Sequence, residues 1–254
     1  MWQDIKILNA TSNALFGLAL LALMAGGAWW LAQRPMFALK VIRVESAEKS
    51  DLRRVNPLTI RASALPRIKG NFFTANLDSV RVAFESVPWV RKASVQREWP
   101  NQLVVTIEEH QPLGTWDDDG RLLSVKGDLF IANLDEAEED GELLKFGGPN
   151  GSEKDVLARF ADFQKWFAPI KLTPTDVELS PRYAWSVKLN NGMTVALGRE
   201  QTRATLHDRV NRLIEIYPQL LARLQDRIES VDMRYPNGLA LKASSLGAEL
   251  NNKK

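Results

Sequence analysis

An uncharged run near the N-terminus constrains this chain more than any other feature of its sequence. The run from Ala14 to Ala32 holds nineteen residues and no charged side chain. A helix of that length spans roughly 28 Å, close to the ~30 Å hydrocarbon core of a bilayer. Trp29 and Trp30 stand near its end, where amphipathic rings favour the headgroup region. The sequence therefore predicts a single transmembrane helix over residues 14–32.

The fate and the orientation of this helix are separate questions. Small residues at 25–28 offer a site for signal peptidase, but the apolar run continues beyond them through Leu31, so we expect an uncleaved anchor. Lys6 is the basic side chain before the helix, and three basic residues follow it closely. That count leans slightly towards an external N-terminus. Long domains are translocated largely regardless of such charges, so the residues alone leave the topology open.

Composition excludes several classes of protein. The 254 residues are 45% hydrophobic and 25% charged, which excludes intrinsic disorder and collagen. The chain has no cysteine, so it has no disulfide, no thiolate nucleophile and no zinc site of the thiolate type. A formal charge of +2 is too small to argue for a nucleic-acid partner.

The segment after the helix predicts a small domain with the element order β-α-α-β-β. Asn56 and Asn76 are expected N-cap residues of its two helices, and Pro88 ends the second. The alternation of Trp99 with Val95 leads us to expect the Trp99 ring in the core, against Phe84. Three strands are predicted, at residues 37–44, 92–99 and 103–109.

The remaining segment is rich in strands and hairpin signals. Asn191-Gly192 between alternating apolar residues is the strongest of them, and Asp119-Gly120 predicts another tight turn. Residues 228–235 and 239–242 predict a final hairpin. No later segment with strand character remains to pair with residues 239–242, so we expect them to form an edge strand.

Helices and a loop are also predicted in this segment. Ser152 and Asp155 suggest a variant capping box at the start of one helix, and Pro218 is expected to close another that begins at Thr202. The acidic residues at 135–142 predict a solvated loop. Trp116 and Trp185 are expected in the core, and His110 and His207 at the surface.

No motif in the sequence points to catalysis. There is no nucleophile elbow, no P-loop and no HExxH, and residues 147–151 resemble a phosphate loop only in composition. Asp117 to Asp119 are better explained as a hairpin tip than as a cation site. We therefore expect a protein that is not an enzyme, with no catalytic, cofactor or metal residues and no small-molecule substrate.

The segment from Pro88 to Trp116 resembles the second half of a polypeptide-transport-associated (POTRA) domain, most closely that of the FtsQ/DivIB family of bacterial cell-division proteins. The residues that carry this resemblance are Pro88, Trp89, Val90, Arg97, Trp99, Pro100, Leu103, Glu109, Pro112 and Trp116. Later matches are Trp185, Asn191-Gly192, Leu197-Gly198-Arg199, residues 213–218 and residues 231–235. The resemblance covers nearly the whole chain in the right order.

This resemblance implies a fold class and an organisation. The class is α+β: a single transmembrane helix, a β-α-α-β-β POTRA domain, and a mostly antiparallel β domain with two or three helices. The implied divisions are a cytoplasmic tail (1–13), the transmembrane helix (14–32), the POTRA domain (37–110), the FtsQ-type β domain (111–246) and a flexible tail (247–254).

It also implies a function. Members are non-enzymatic scaffolds of the inner membrane with a cytoplasmic N-terminus and a periplasmic bulk, concentrated at the division septum. The β domain binds the FtsB–FtsL pair, chiefly by strand addition, and the POTRA domain serves recruitment. FtsK, FtsW, FtsI and FtsN are further implied partners.

Partner contacts map onto the end of the chain. The residues implicated by motif are Arg199, Arg234, Tyr235, Asn237 and Gly238, and the expected edge strand adds Leu239 and Leu241. The chain departs from relatives at Pro236, Asn237 and Lys242-Ala243. The alternative to partner binding is that Tyr235 is a core residue and that the arginines pair with local acids such as Asp232.

Other function classes compete with the scaffold. An envelope enzyme needs a convergent set of polar residues, which the sequence does not display. A sensor needs an output module, for which residues 1–13 are too few, and an outer-membrane assembly component needs a long amphipathic β-barrel. The alternative to a divisome scaffold is a membrane-anchored periplasmic ligand-binding or envelope-assembly module.

Overall fold

The chain divides into two compact units, which are described separately. The first runs to Glu109 and the second starts at His110. The computed structural model describes residues 2–47, 52–117, 119–139, 141–202, 204–224, 228–235 and 238–243.

The first unit opens with a long apolar helix, α1 (Trp2–Ala32). Its segment Ile7–Ala32 is long and apolar enough to cross a membrane, and none of that segment is buried against the protein. The helix therefore includes the predicted span and begins well before it.

A small three-stranded sheet and two helices make up the rest of the first unit. The elements are β1 (Val41–Ser46), α2 (Pro57–Ser63), α3 (Leu77–Glu85), β2 (Val90–Glu98) and β3 (Gln102–Glu109). Strand β3 lies in the centre, parallel to β1 and antiparallel to β2. The predicted order β-α-α-β-β is confirmed.

Local sequence signals account for the two helices of this unit. The side-chain oxygen of Asn56 accepts a hydrogen bond from the backbone N–H of Leu58, and that of Asn76 accepts one from Ser79. Each asparagine thereby satisfies an N–H group that has no partner within its helix. Both predicted N-caps are confirmed.

Two details of the first unit differ from the sequence-based expectation. The first strand begins at Val41 because Pro35 to Phe37 form a 3-10 turn that turns Phe37 inward. The expected burial of Trp99 is wrong, since 66% of the residue is exposed. Strand β2 ends at Glu98, so Trp99 no longer follows the alternation of that strand; Phe84, its expected contact, is instead buried on α3.

The second unit is built on a nine-stranded sheet. Its strands are β4 (Pro112–Trp116), β5 (Arg121–Ser124), β6 (Leu129–Phe130), β7 (Leu144–Gly147), β8 (Pro174–Leu179), β9 (Ala184–Leu189), β10 (Thr194–Arg199), β11 (Ile228–Asp232) and β12 (Ala240–Ala243). Its helices are α4 (Leu134–Glu138), α5 (Glu153–Phe167) and α6 (Thr205–Leu224). The spatial order is β12-β11-β10-β9-β8-β7-β4-β5-β6, so β12 and β6 are the two edges.

Most neighbouring strands of this sheet are antiparallel, as expected. The parallel pairs are β4 with β7, β7 with β8, and β10 with β11. Helices α5 and α6 contact each other and pack on the sheet through apolar side chains. Trp116 and Trp185 lie in the resulting core, and the Asn191-Gly192 and Asp119-Gly120 turns connect antiparallel strands. These expectations are confirmed.

The sequence predicts that helix α6 ends at Pro218, and this prediction is wrong. The helix begins at Thr205 and continues through the proline to Leu224. Leu220 and Leu224 pack against the core beyond the proline. The free energy gained by burying these apolar side chains offsets the loss of the backbone hydrogen bond that Pro218 cannot donate.

Three further expectations in the second unit are wrong. The acidic segment contains helix α4, because the Asn133 side chain caps it by accepting from the N–H of Asp135. Ser152 precedes α5 but forms no capping box, since its hydroxyl donates to the carbonyl of Pro149. His110 is buried and stacks on Phe130 with ring centroids 4.0 Å apart, whereas His207 is exposed as expected.

Candidate partner-binding site

Strand β12 occupies one edge of the nine-stranded sheet. It pairs with β11 in antiparallel register, with Ala240 opposite Asp232 and Leu241 opposite Val231. All its residues are exposed, while Leu239, just before it, packs against the core. Among the described residues no strand covers its outer side. The edge strand expected at the end of the chain is therefore confirmed, and its backbone groups are accessible to an added strand.

The predicted site residues that the structure describes lie at one end of this sheet. Strands β10 and β11 are parallel, so Arg199 at the end of β10 lies at the same end as Arg234, which follows β11. Because β12 is antiparallel to β11, Leu239 and Leu241 lie at or near the start of β12 at that end. Gly238 precedes them, and the predicted contact Asn237 lies, like Pro236, outside the described residues.

A glycine allows Arg234 to cross the end of β10. Gly198 has a φ of +74°, and the register between β9 and β10 shifts between Ala196 and Gly198. A Cβ atom at Gly198 would lie 2.8 Å from Cγ of Arg234, closer than real Cβ contacts come. The position therefore requires glycine for two reasons: its backbone conformation and the space taken by the arginine stem.

Arg209, which the sequence analysis missed, stabilises the same strand end from α6. Its guanidinium donates hydrogen bonds to the carbonyls of Leu197 at 2.6 Å and Arg199 at 2.9 Å. Hydrogen bonds from a charged donor to a backbone carbonyl are strong, so these two hold the bulged end of β10 in place. No motif or spacing in the sequence marks this arginine, because the contact depends on how helix α6 packs against the end of strand β10.

Arg234 forms a bidentate ion pair with Asp232. Its Nε lies 2.9 and 3.0 Å from the two carboxylate oxygens and its Nη2 lies 2.6 Å from Oδ2. The side chain of Arg234 nevertheless remains 61% exposed. These hydrogen bonds are the main reason why the pKa of Asp232 lies below its ordinary value. The alternative explanation, in which Arg234 pairs with Asp232, therefore holds for this arginine, yet its guanidinium still faces solvent.

The acid dependence of stability tests this ion pair. A carboxyl group whose pKa is lowered in the folded state contributes stability above its unfolded pKa of about 4, and that contribution is lost as the pH falls through the folded value. We expect the unfolding midpoint of Asp232→Asn to lie below that of the unchanged chain at pH 7. The gap should stay constant down to about pH 4 and close below it. A gap that is unchanged at acid pH would contradict the assignment.

Tyr235 is not a core residue. It is 56% exposed and follows Arg234 directly. Tyrosine and arginine are both enriched among the residues that dominate the binding energy of protein interfaces. The core explanation of Tyr235 is therefore wrong, which leaves its ring available to a partner.

A cavity of about 430 Å³ with both polar and apolar walls is lined in part by Arg199. Asp155, Asp162, Tyr183 and Glu200 are among its lining residues. Arg159 also lines it, and its Nη2 donates to Oε2 of Glu200 at 2.7 Å. In the part of the chain that the structure describes, no group of three or more His, Asp or Glu side chains could hold a metal ion. The exposed groups around β12 are the backbone of an edge strand and the side chains of Arg199, Arg234 and Tyr235.

Comparisons with known proteins agree with this architecture. A family model for POTRA domains of the FtsQ type matches residues 48–110, and one described as cell division protein FtsQ/DivIB, C-terminal, matches residues 114–234. The cell division protein FtsQ of Burkholderia pseudomallei is 53% identical over 97% of this chain and 96% of its own. Those of Bordetella pertussis and Nitrosospira multiformis are 40% and 36% identical, covering 98% and 96% of this chain and 95% and 100% of their own. With an apolar N-terminal helix suited to membrane anchoring, a POTRA fold and this terminal sheet, the chain belongs to the FtsQ family of cell-division proteins.

Proposed function

We propose that this chain is a non-enzymatic divisome scaffold that binds the FtsB–FtsL pair by adding a partner strand to β12. The observation that carries the proposal is the exposed edge of β12, which ends the nine-stranded sheet in the described part of the chain. An added strand would satisfy the backbone groups of that edge, and the contacts of its side chains would select the segment. Family membership supports a role in cell division.

The side chains around this edge favour an acidic partner segment. Arg199 is exposed, and its side chain makes no ion pair within the described residues. Arg234 uses its Nε and Nη2 on Asp232, which leaves donors on its Nη1 for a partner carboxylate. Tyr235 adds an aromatic ring that would be buried on binding. Leu239, Leu241 and Gly238 complete the proposed contact, together with Asn237.

The proposed organisation follows the family. Residues 1–13 would be cytoplasmic, residues 14–32 would cross the inner membrane once, and the POTRA domain (37–110) and the β domain (111–246) would lie in the periplasm. The POTRA domain would serve recruitment to the septum, where FtsK, FtsW, FtsI and FtsN are the other expected partners.

Amide hydrogen exchange tests strand addition directly. We expect the amides of β12 to exchange at least about tenfold more slowly when the periplasmic FtsB–FtsL segments are added to the full-length protein, because new inter-strand hydrogen bonds must open before exchange occurs. The opposite edge strand, β6, is the internal control, because it belongs to the same sheet.

The outcome at the two edges decides the proposal. Protection at β12 with no change at β6 supports it. Binding that leaves β12 unprotected, or that protects β6 instead, would show that the partner uses another surface.

A further inference from the structure

Four aromatic rings of the first unit form a contiguous group, the aromatic cluster, defined as Phe37, Phe72, Phe73 and Trp99. The ring of Phe37 lies 4.9 Å from that of Phe73 and 5.7 Å from that of Trp99, measured between centroids. Phe72 contacts the same two rings at 5.2 and 5.7 Å. These distances are typical of packed aromatic pairs.

The cluster has a buried inner half and an exposed outer half. Phe37 and Phe72 are buried, whereas Phe73 is 47% and Trp99 66% exposed. The rings of Phe73 and Trp99 lie 6.5 Å apart between centroids, so they form one exposed apolar patch, and contiguous patches of this kind mark interaction sites. Arg97 holds the loop beneath them, because its guanidinium donates to the carbonyls of Phe72 and Ala75 at 2.7 Å each.

The cluster lies at the end of the apolar helix. The side-chain amide of Asn71 donates a hydrogen bond of 2.9 Å to the carbonyl of Ala32, the last residue of α1. The N–H of Phe72 donates to the carbonyl of Phe37 at 2.9 Å. The N–H of Lys40 donates to the carbonyl of Asn101 at 3.1 Å, which ties the turn after Trp99 to the start of β1.

The same end of α1 already has the composition of a membrane interface. Trp29 and Trp30 are both exposed on the helix, and the guanidinium of Arg34 lies 3.5 Å from the centroid of the Trp30 ring. Tryptophan rings favour the headgroup level of a bilayer, and arginine beside them can meet lipid phosphate. Lys40 is exposed near the aromatic cluster and adds a second positive charge.

We infer that the outer half of the aromatic cluster is a second membrane contact, in which Trp99 and Phe73 enter the headgroup layer of the bilayer that α1 crosses. The occupant of this patch is phospholipid, because the patch is continuous with a helix end that must itself lie at the interface. Amphipathic rings gain from burial at that level while the indole N–H stays near water. The contact would hold the POTRA domain against the membrane surface and set its tilt.

A single fluorophore can measure the depth of this patch, because the chain has no cysteine. We would label Asn101→Cys with an environment-sensitive dye in the full-length protein, reconstituted at a low protein-to-lipid ratio in vesicles of phosphatidylethanolamine and phosphatidylglycerol. Asn101 lies in the turn beside Trp99, so its replacement keeps all four rings. The matched control is Lys92→Cys. Lys92 is exposed on β2 and lies about 23 Å from Trp99 along the strand direction.

We expect nitroxide-labelled lipids to quench the dye at position 101 strongly and the dye at position 92 weakly. Trp99→Ser in the Asn101→Cys background should reduce the quenching and red-shift the emission, whereas Trp99→Phe should retain most of both. Circular dichroism confirms the fold of each variant, which we expect to survive because Trp99 is mostly exposed.

Two outcomes would overturn the inference. Equal quenching at positions 101 and 92 would mean that the patch has no preferred contact with lipid. Quenching at position 101 that Trp99→Ser leaves unchanged would mean that the tether to α1 alone brings the turn near the bilayer, so that the exposed rings serve a protein partner instead.

Discussion

Tyr235→Ala is expected to weaken binding of the FtsB–FtsL segments by at least about 30-fold, which corresponds to the ~2 kcal/mol threshold of an interface hot spot. The proposal places this half-exposed ring beside the exposed guanidinium of Arg234 and just before the edge strand β12. A partner strand added to β12 would cover the ring and remove its apolar surface from water. Titration of the full-length protein with the paired periplasmic segments measures the loss.

The stability of the same variant should barely change. Substitutions at exposed positions away from special features usually alter the free energy of unfolding by no more than about 0.5 kcal/mol. Ile131→Ala is the matched control, because Ile131 is 75% exposed and follows β6 at the opposite edge of the sheet. It should change neither stability nor binding.

Two results would argue against the proposed contact. Unchanged affinity in Tyr235→Ala would place the partner elsewhere on the domain. A large fall in the unfolding midpoint would make Tyr235 a structural residue, and its effect on binding would then be indirect.

Gly114→Ala is expected to destabilise the second unit by about 3 kcal/mol or more, the upper range for forcing extra volume into a packed interior. Gly114 lies in β4 opposite Leu144 of the parallel strand β7. An added Cβ would overlap the carbonyl oxygen of Leu144 and come within 2.8 Å of the Phe146 ring. Backbone cannot move aside as a flexible side chain can, so the β4–β7 pairing must open. Denaturant unfolding of the full-length protein in detergent measures the change.

Gly192→Ala separates steric overlap from backbone strain. Gly192 has a φ of +83°, but a Cβ there would meet no atom within 4 Å. The alanine should therefore cost only the strain of a left-handed residue, about 1 kcal/mol. If Gly114→Ala cost no more than Gly192→Ala, the close approach of β4 and β7 would not be essential to the sheet.

Several features of this protein follow from short stretches of sequence. Asn56 and Asn76 cap their helices, and the Asn191-Gly192 turn joins two antiparallel strands. Such interactions form between residues a few positions apart, so they can be predicted from the local sequence wherever the segment lies in the fold. The apolar run of α1 is of the same kind, because its length and lack of charge are properties of one segment. The edge position of β12 was also predicted from the sequence, because residues 244–254 show no strand pattern.

Where a local pattern and the packing disagree, the tertiary structure decided which side chains are buried and which meet across the fold. Trp99 fits a strand alternation but lies beyond the end of β2. Helix α6 continues past Pro218 because Leu220 and Leu224 pack against the core. The hydrogen bonds from Arg209 to β10 and the contact of Arg234 with Gly198 join separate elements of the fold. The physical reason is that burial and long-range hydrogen bonds depend on how the elements pack. That packing can outweigh local preferences, which are worth about 1 kcal/mol for most residues and about 3 kcal/mol for a proline inside a helix.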